Sequence, residues 1–178
     1  MSATVDLTES QITKVIGDFL SLIVPAEVFV GQANWVPEPA SDDFVVIWPT
    51  FRGRMAYNID TWQFINAPTV TAAENDAKVI FQIDVHGPNS PGNAQIIATL
   101  WQDDFAAMYF DSEGYPIRPL YIDDAQQIPF LNGESQTEMR WTMKGALQGN
   151  FTISTPQQFA NTLAIGLINV DATYPPEP

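Results

Sequence analysis

The chain has 178 residues, 46% of them hydrophobic, enough for one domain with an ordinary buried core. Its formal net charge is −14, from 21 acidic and only seven basic side chains, which argues against the basic face that a sequence-specific nucleic-acid binder uses to neutralise phosphates. Cysteine is absent, so there is no disulfide framework, thiolate metal site or cysteine nucleophile, a composition suited to folding in a reducing cytoplasm.

Residues 1–7 read as a loose N-terminus without the basic-then-apolar pattern of a secretory signal. No apolar run approaches the ~18 residues of a membrane span, so no membrane partner is expected. Thr8 predicts a helix N-cap, with Gln11 three residues on as its capping-box partner. Ile12, Val15, Ile16, Phe19, Leu20 and Ile23 form an apolar stripe at helical period, and Pro25 sets the helix end. Val28–Val30 predicts a short strand. The loop that follows carries Trp35, an unusual loop residue that suits a plug over a core edge or a protein contact.

Phe44–Trp48 predicts a strand, with Pro49 marking its end or an edge position. Arg52, Gly53 and Arg54 form the only close basic pair, and the flanking segments suggest a hairpin with this pair at its tip. Trp48, Tyr57 and Trp62 lie on or beside these segments. Residues 67–77, rich in small and turn residues, read as a loop. From Lys78 the pattern alternates: Val79, Phe81, Ile83 and Val85 on one side, Gln82, Asp84 and His86 on the other, a strand with one core face and one polar face. Gly87, Pro88 and Asn89 break it, and Ser90 followed by Pro91 starts a helix. That helix is expected to run to Asp111–Gly114, with Ile97, Leu100, Trp101, Phe105 and Met108 on its buried stripe.

Residues 117–122 predict a strand, Asp123 and Asp124 a loop, and Asn132-Gly133 a turn. Residues 138–153 form the longest strand candidate. Met139, Trp141, Met143, Gly145, Leu147, Gly149, Phe151 and Ile153 fall on one side, and the two in-register glycines suggest a bend, a bulge or close packing against a helix. Thr155-Pro156 reads as the start of a helical turn, residues 163–170 as a buried segment, and residues 172–178 as an extended proline-rich tail.

No nucleophile elbow, phosphate loop, dinucleotide fingerprint or HExxH is present. Asp84 and the only histidine, His86, share a strand face and could hold a metal with Asp103 or Asp123 as a third ligand. An i, i+2 pair on an open polar face is far more often chance than a site. The adjacent Asp103-Asp104 and Asp123-Asp124 read as solvated charges.

The segments VFVGQANWVPEP, FVVIWPTFRGRMAYNIDTW, FQIDVHGPNSPGNAQIIATLWQDDFA and FANTLAIGLINVDATYPP resemble those of tailed-bacteriophage neck proteins of the tail-terminator type, over about residues 10–176. The resemblance implies an α+β fold across a single domain, residues 1–178: a mixed, mostly antiparallel sheet, two main helices packed on it, and long strand or hairpin extensions. It implies a structural virion protein, made in the host cytoplasm, with no cofactor and no catalytic residues. Such proteins form a ring, usually hexameric, at the head-proximal end of the tail. The ring ends tube growth, meets the tail tube protein and the head–tail connector or stopper, and surrounds a lumen through which DNA passes without specific binding. An acidic, non-sticking lumen fits the charge. A stopper, head-completion or tube subunit is the alternative within the virion. A small metal enzyme using Asp84 and His86 is the alternative outside it. Trp35, Trp48, Arg52, Arg54, Tyr57 and Trp62 are the candidate subunit or partner contacts.

Overall fold

The computed structural model describes residues 2–32, 38–63, 70–131 and 137–156. In chain order the elements are β1 (Thr4–Val5), α1 (Glu9–Ile23), β2 (Glu27–Val30), β3 (Phe44–Arg54), β4 (Ile59–Gln63), β5 (Val70–His86), α2 (Ser90–Trp101), α3 (Asp104–Ser112), β6 (Ile117–Ile122), β7 (Gln126–Gln127), β8 (Phe130–Leu131), β9 (Thr137–Glu138) and β10 (Arg140–Pro156). The fold is α+β, with an eight-stranded, mostly antiparallel sheet that curls into half a barrel. Among the described residues only β2 and β3 pair in parallel.

The spine of the sheet is a ribbon of two 17-residue strands, β5 and β10, paired without interruption from Arg140↔His86 to Pro156↔Val70. Each strand has its other edge filled by shorter pieces laid end to end. β3 and then β4 run along β5. β7, β6 and β1 run along β10. This arrangement corrects two expectations. Arg52, Gly53 and Arg54 lie inside β3, not at a hairpin tip, because β3 and β4 pair with β5 rather than with each other. Residues 70–77 are strand, not loop: weak local propensity is overridden by partners on both edges. β3 also continues past Pro49 through a bulge at Thr50, whose hydroxyl donates to the Ile80 carbonyl at 3.1 Å.

Directly opposed residues share a face of the sheet, so the register sorts the side chains. Val79, Phe81, Ile83 and Val85 of β5 share one face with Met143, Gly145 and Leu147 of β10 and Val45 and Ile47 of β3. The helices pack on this face. α1 buries Ile12, Val15, Ile16, Phe19 and Leu20, the stripe read from the sequence, and its Thr8–Gln11 capping box is formed. Residues 1–7 are not wholly loose: β1 pairs with β10 and Leu7 is buried in the core.

The second predicted helix is two. Asp103 takes an extended conformation and its carboxylate accepts the Phe105 N–H at 2.8 Å, so it caps α3 instead of continuing α2. It is therefore a structural cap, not merely a solvated charge. The break turns Met108 outward, to 72% exposure, and leaves Phe105 42% exposed with its ring centroid 6.2 Å from that of Phe19, against the expectation that both are core. Ser90 is the first residue of α2, with Asn89 as the N-cap residue. Trp101 is 1% exposed, with Phe19 and Phe110 at its edges, ring centroids 6.0 and 5.8 Å away. A Cβ at Gly145 would lie 3.1–3.3 Å from three atoms of the Trp101 ring, which is why a glycine stands there. Gly87, at φ +99°, lets the chain leave β5 against the Asp42 carbonyl. Thr155 and Pro156 end β10 as strand rather than starting a helical turn. The predicted turn at Asn132-Gly133, the buried segment 163–170 and the tail 172–178 lie outside the described residues.

Candidate assembly surface

The core thins along the ribbon. Beyond Ala77 of β5 and Phe151 of β10, no side chain described on either strand is buried. Register brings Arg52 opposite Val79, Arg54 opposite Ala77, Phe151 opposite Asn75, Ile153 opposite Ala73 and Val5 opposite Ile153. All of these stand on the helix side of the sheet, beyond the start of α1. All but the buried Val79 line a groove of about 300 Å³.

The groove is basic on one flank and apolar on the other. The Arg52 guanidinium lies 4.5 Å from the centre of the Phe151 ring and 3.6 Å from the Glu9 carboxylate. Arg54 makes no ion pair among the described residues. Asn75 donates to the side-chain oxygen of Asn58 at 2.8 Å. Val5 and Ile153 are exposed along it, and Tyr57, in the β3–β4 connection, is 90% exposed. Exposed apolar side chains beside two cations, one of them without an ion pair among the described residues, have the make-up of a protein contact surface.

Of the six contact candidates, the structure brings together Arg52 and Arg54, with Tyr57 just beyond them. Trp48 is opposite Gln82, on the other face of the sheet, and its ring covers Gly31 so closely that a Cβ there would lie 2.7 Å away. Trp62 is opposite Thr71 in β4. Trp35 lies outside the described residues. The groove partners Val5, Phe151 and Ile153 escaped the sequence reading. Alternation put Phe151 and Ile153 on one side of their strand; Phe151 is buried, and only the register reveals that Ile153 stands beyond the last buried residues of the ribbon.

Asp84 and His86 share the helix-free face, as the alternation predicts, but they are not an open polar surface. Both are buried, at 2% and 7% exposure. The Asp84 carboxylate accepts from Gln82 Nε2 at 3.2 Å and lies 3.7 Å from Arg140 Nη1. The His86 ring stacks on Phe44, centroids 4.5 Å apart and 6° from parallel. Burial lowers the His86 pKa from 6.5, against the opposing pull of Asp84, so the neutral ring is favoured. Of the proposed third ligands, Asp103 caps α3, and Asp123 follows β6 with its backbone N–H on the Lys144 carbonyl. Among the described residues no three His, Asp or Glu side chains gather as a metal site.

No curated protein matches the chain. The model of the phage neck terminator protein family matches residues 10–174 of the 178. That match spans α1, the whole β5–β10 ribbon and both arginines of the groove, and the chain belongs to the phage neck terminator family.

Proposed function

We propose that this chain is the terminator subunit of a phage tail: copies of it close into a ring, sixfold by the habit of such proteins, on the head-proximal end of the tail tube. The ring halts tube growth and offers the head connector a surface to join. Family membership over residues 10–174 is the observation that carries this reading. The fold supports it with a helix-backed sheet that, among the described residues, leaves a ribbon end without buried side chains and a basic, apolar-rimmed groove for contacts. The role is that of a scaffold and needs no cofactor or catalytic group. With a net charge of −14, a ring of such chains has little cation to hold phosphates, so DNA passes through the lumen without specific binding.

Purified protein mixed with tail tubes and imaged in negative stain tests the proposal, with sedimentation to follow the bound fraction. The expected result is one compact density at a single end of each tube and no further elongation when tube protein is added. Protein that neither caps nor binds tubes, or that is found along the tube wall, would overturn it.

A further inference from the structure

We propose that the Arg52–Arg54 groove receives the outer face of α3 from a second copy of this chain. The proposal rests on copies of the chain meeting in one assembly, as in the function proposed above, and adds which two surfaces meet.

The first support is charge. Chains of net charge −14 repel one another, so any contact between copies needs local cations. Lys14, Arg118 and Arg140 face Asp18, Asp111 and Asp84 within the chain. Lys78 lies over the Tyr121 ring. Arg52 has only a 3.6 Å approach to Glu9, and Arg54 makes no ion pair among the described residues. Lys144 lines a separate pocket with Asp123 and Asp124, so Arg52 and Arg54 are the two neighbouring cations with the weakest carboxylate pairing, and they line the same groove beside exposed Val5 and Ile153.

The second support is the complementary make-up of α3. Asp104 and Met108 stand at i and i+4, and Phe105 and Met108 at i and i+3, so one helical face carries an acid and two exposed apolar side chains. No cation pairs with Asp104 among the described residues. Setting α3 in the groove places Asp104 against Arg54 and lets Phe105 and Met108 cover Val5 and Ile153. The groove and α3 are different surfaces of one molecule, so the contact is heterologous. Repeated copy to copy, it closes a ring when the rotation permits.

A cysteine-free chain makes the test clean. A chain carrying both Ile153→Cys and Met108→Cys, assembled on tail tubes and oxidised, is expected to give a ladder of disulfide-linked multimers, and each single variant none. Arg54→Glu and Asp104→Arg are each expected to weaken self-association by about tenfold or more in sedimentation, and the two together to restore it. Circular dichroism checks that each variant is folded. No ladder, or no rescue by the charge swap, overturns the pairing. So does an Arg54→Glu chain that still multimerises but no longer binds tubes, which would assign the groove to the tube protein. If the wild type caps tubes while the swap fails, the pairing falls and the terminator role stands. If the ladder forms in concentrated protein that never caps a tube, the terminator role falls and the pairing stands.

Discussion

The contact between Gly145 and Trp101 is the sharpest test of how sheet and helix are held together. An alanine at position 145 would put its Cβ 3.1, 3.3 and 3.3 Å from Cζ2, Cε2 and Cη2 of the Trp101 indole, closer than carbon atoms rest. The ring cannot simply swing aside, because Phe19 and Phe110 stand at its edges and it is 1% exposed. Overpacking of this kind costs about 1–3 kcal/mol. Against it, replacing a strand glycine by alanine recovers roughly 0.5–1 kcal/mol of backbone entropy. Gly145→Ala is therefore expected to destabilise by a net ~0.5–2 kcal/mol in urea unfolding followed by far-UV circular dichroism. Trp101→Phe removes the part of the indole that the new methyl would strike, and alone leaves a cavity costing about 1–3 kcal/mol. The added methyl then fills space instead of clashing, so the double variant is expected to be more stable than the sum of the singles by ~1 kcal/mol or more. A Gly145→Ala variant as stable as the wild type, or two changes that simply add, would refute the close packing of Gly145 on Trp101.

Two further predictions follow from caps and burial. Asp103→Ala removes the side chain that caps α3 and should cost about 1 kcal/mol in the same assay, whereas Asp104→Ala at the exposed next position should cost a few tenths; equal effects would contradict the capping role. His86 has a folded pKa below its unfolded 6.5, so the unfolded chain binds the extra proton and its contribution to stability is present above pH 6.5 and is lost as pH falls toward the folded value. Stability measured from pH 7.5 to 5.5 should fall in the wild type and fall less in His86→Asn, and parallel curves would refute the assignment.

How much of this was legible in the sequence can be traced residue by residue. α1 was readable with its cap, its stripe and its end, because Thr8, Gln11, the apolar spacing and Pro25 act within a few residues of one another. Alternation in 79–86 and 140–153 likewise gave both faces of the two long strands before their pairing was known. The close approach at Gly145 was signalled by glycines in register, and the α+β class and family by segments spread along the chain. What alternation cannot express is which strand lies beside which. Val70–Ala77 is strand because β10 holds one edge throughout and β4, then the end of β3, hold the other, and Arg52 and Arg54 are strand residues because β3 runs along β5. Asp103 looked solvated because a cap is defined by the backbone that it receives. Asp84 and His86 looked exposed because burial of a polar face depends on what the rest of the chain lays over it. The groove at Arg52, Arg54 and Ile153 lies where the cover given by the described helices ends before the ribbon does. Local patterns set each element, but that mismatch in length appears only when the elements are assembled.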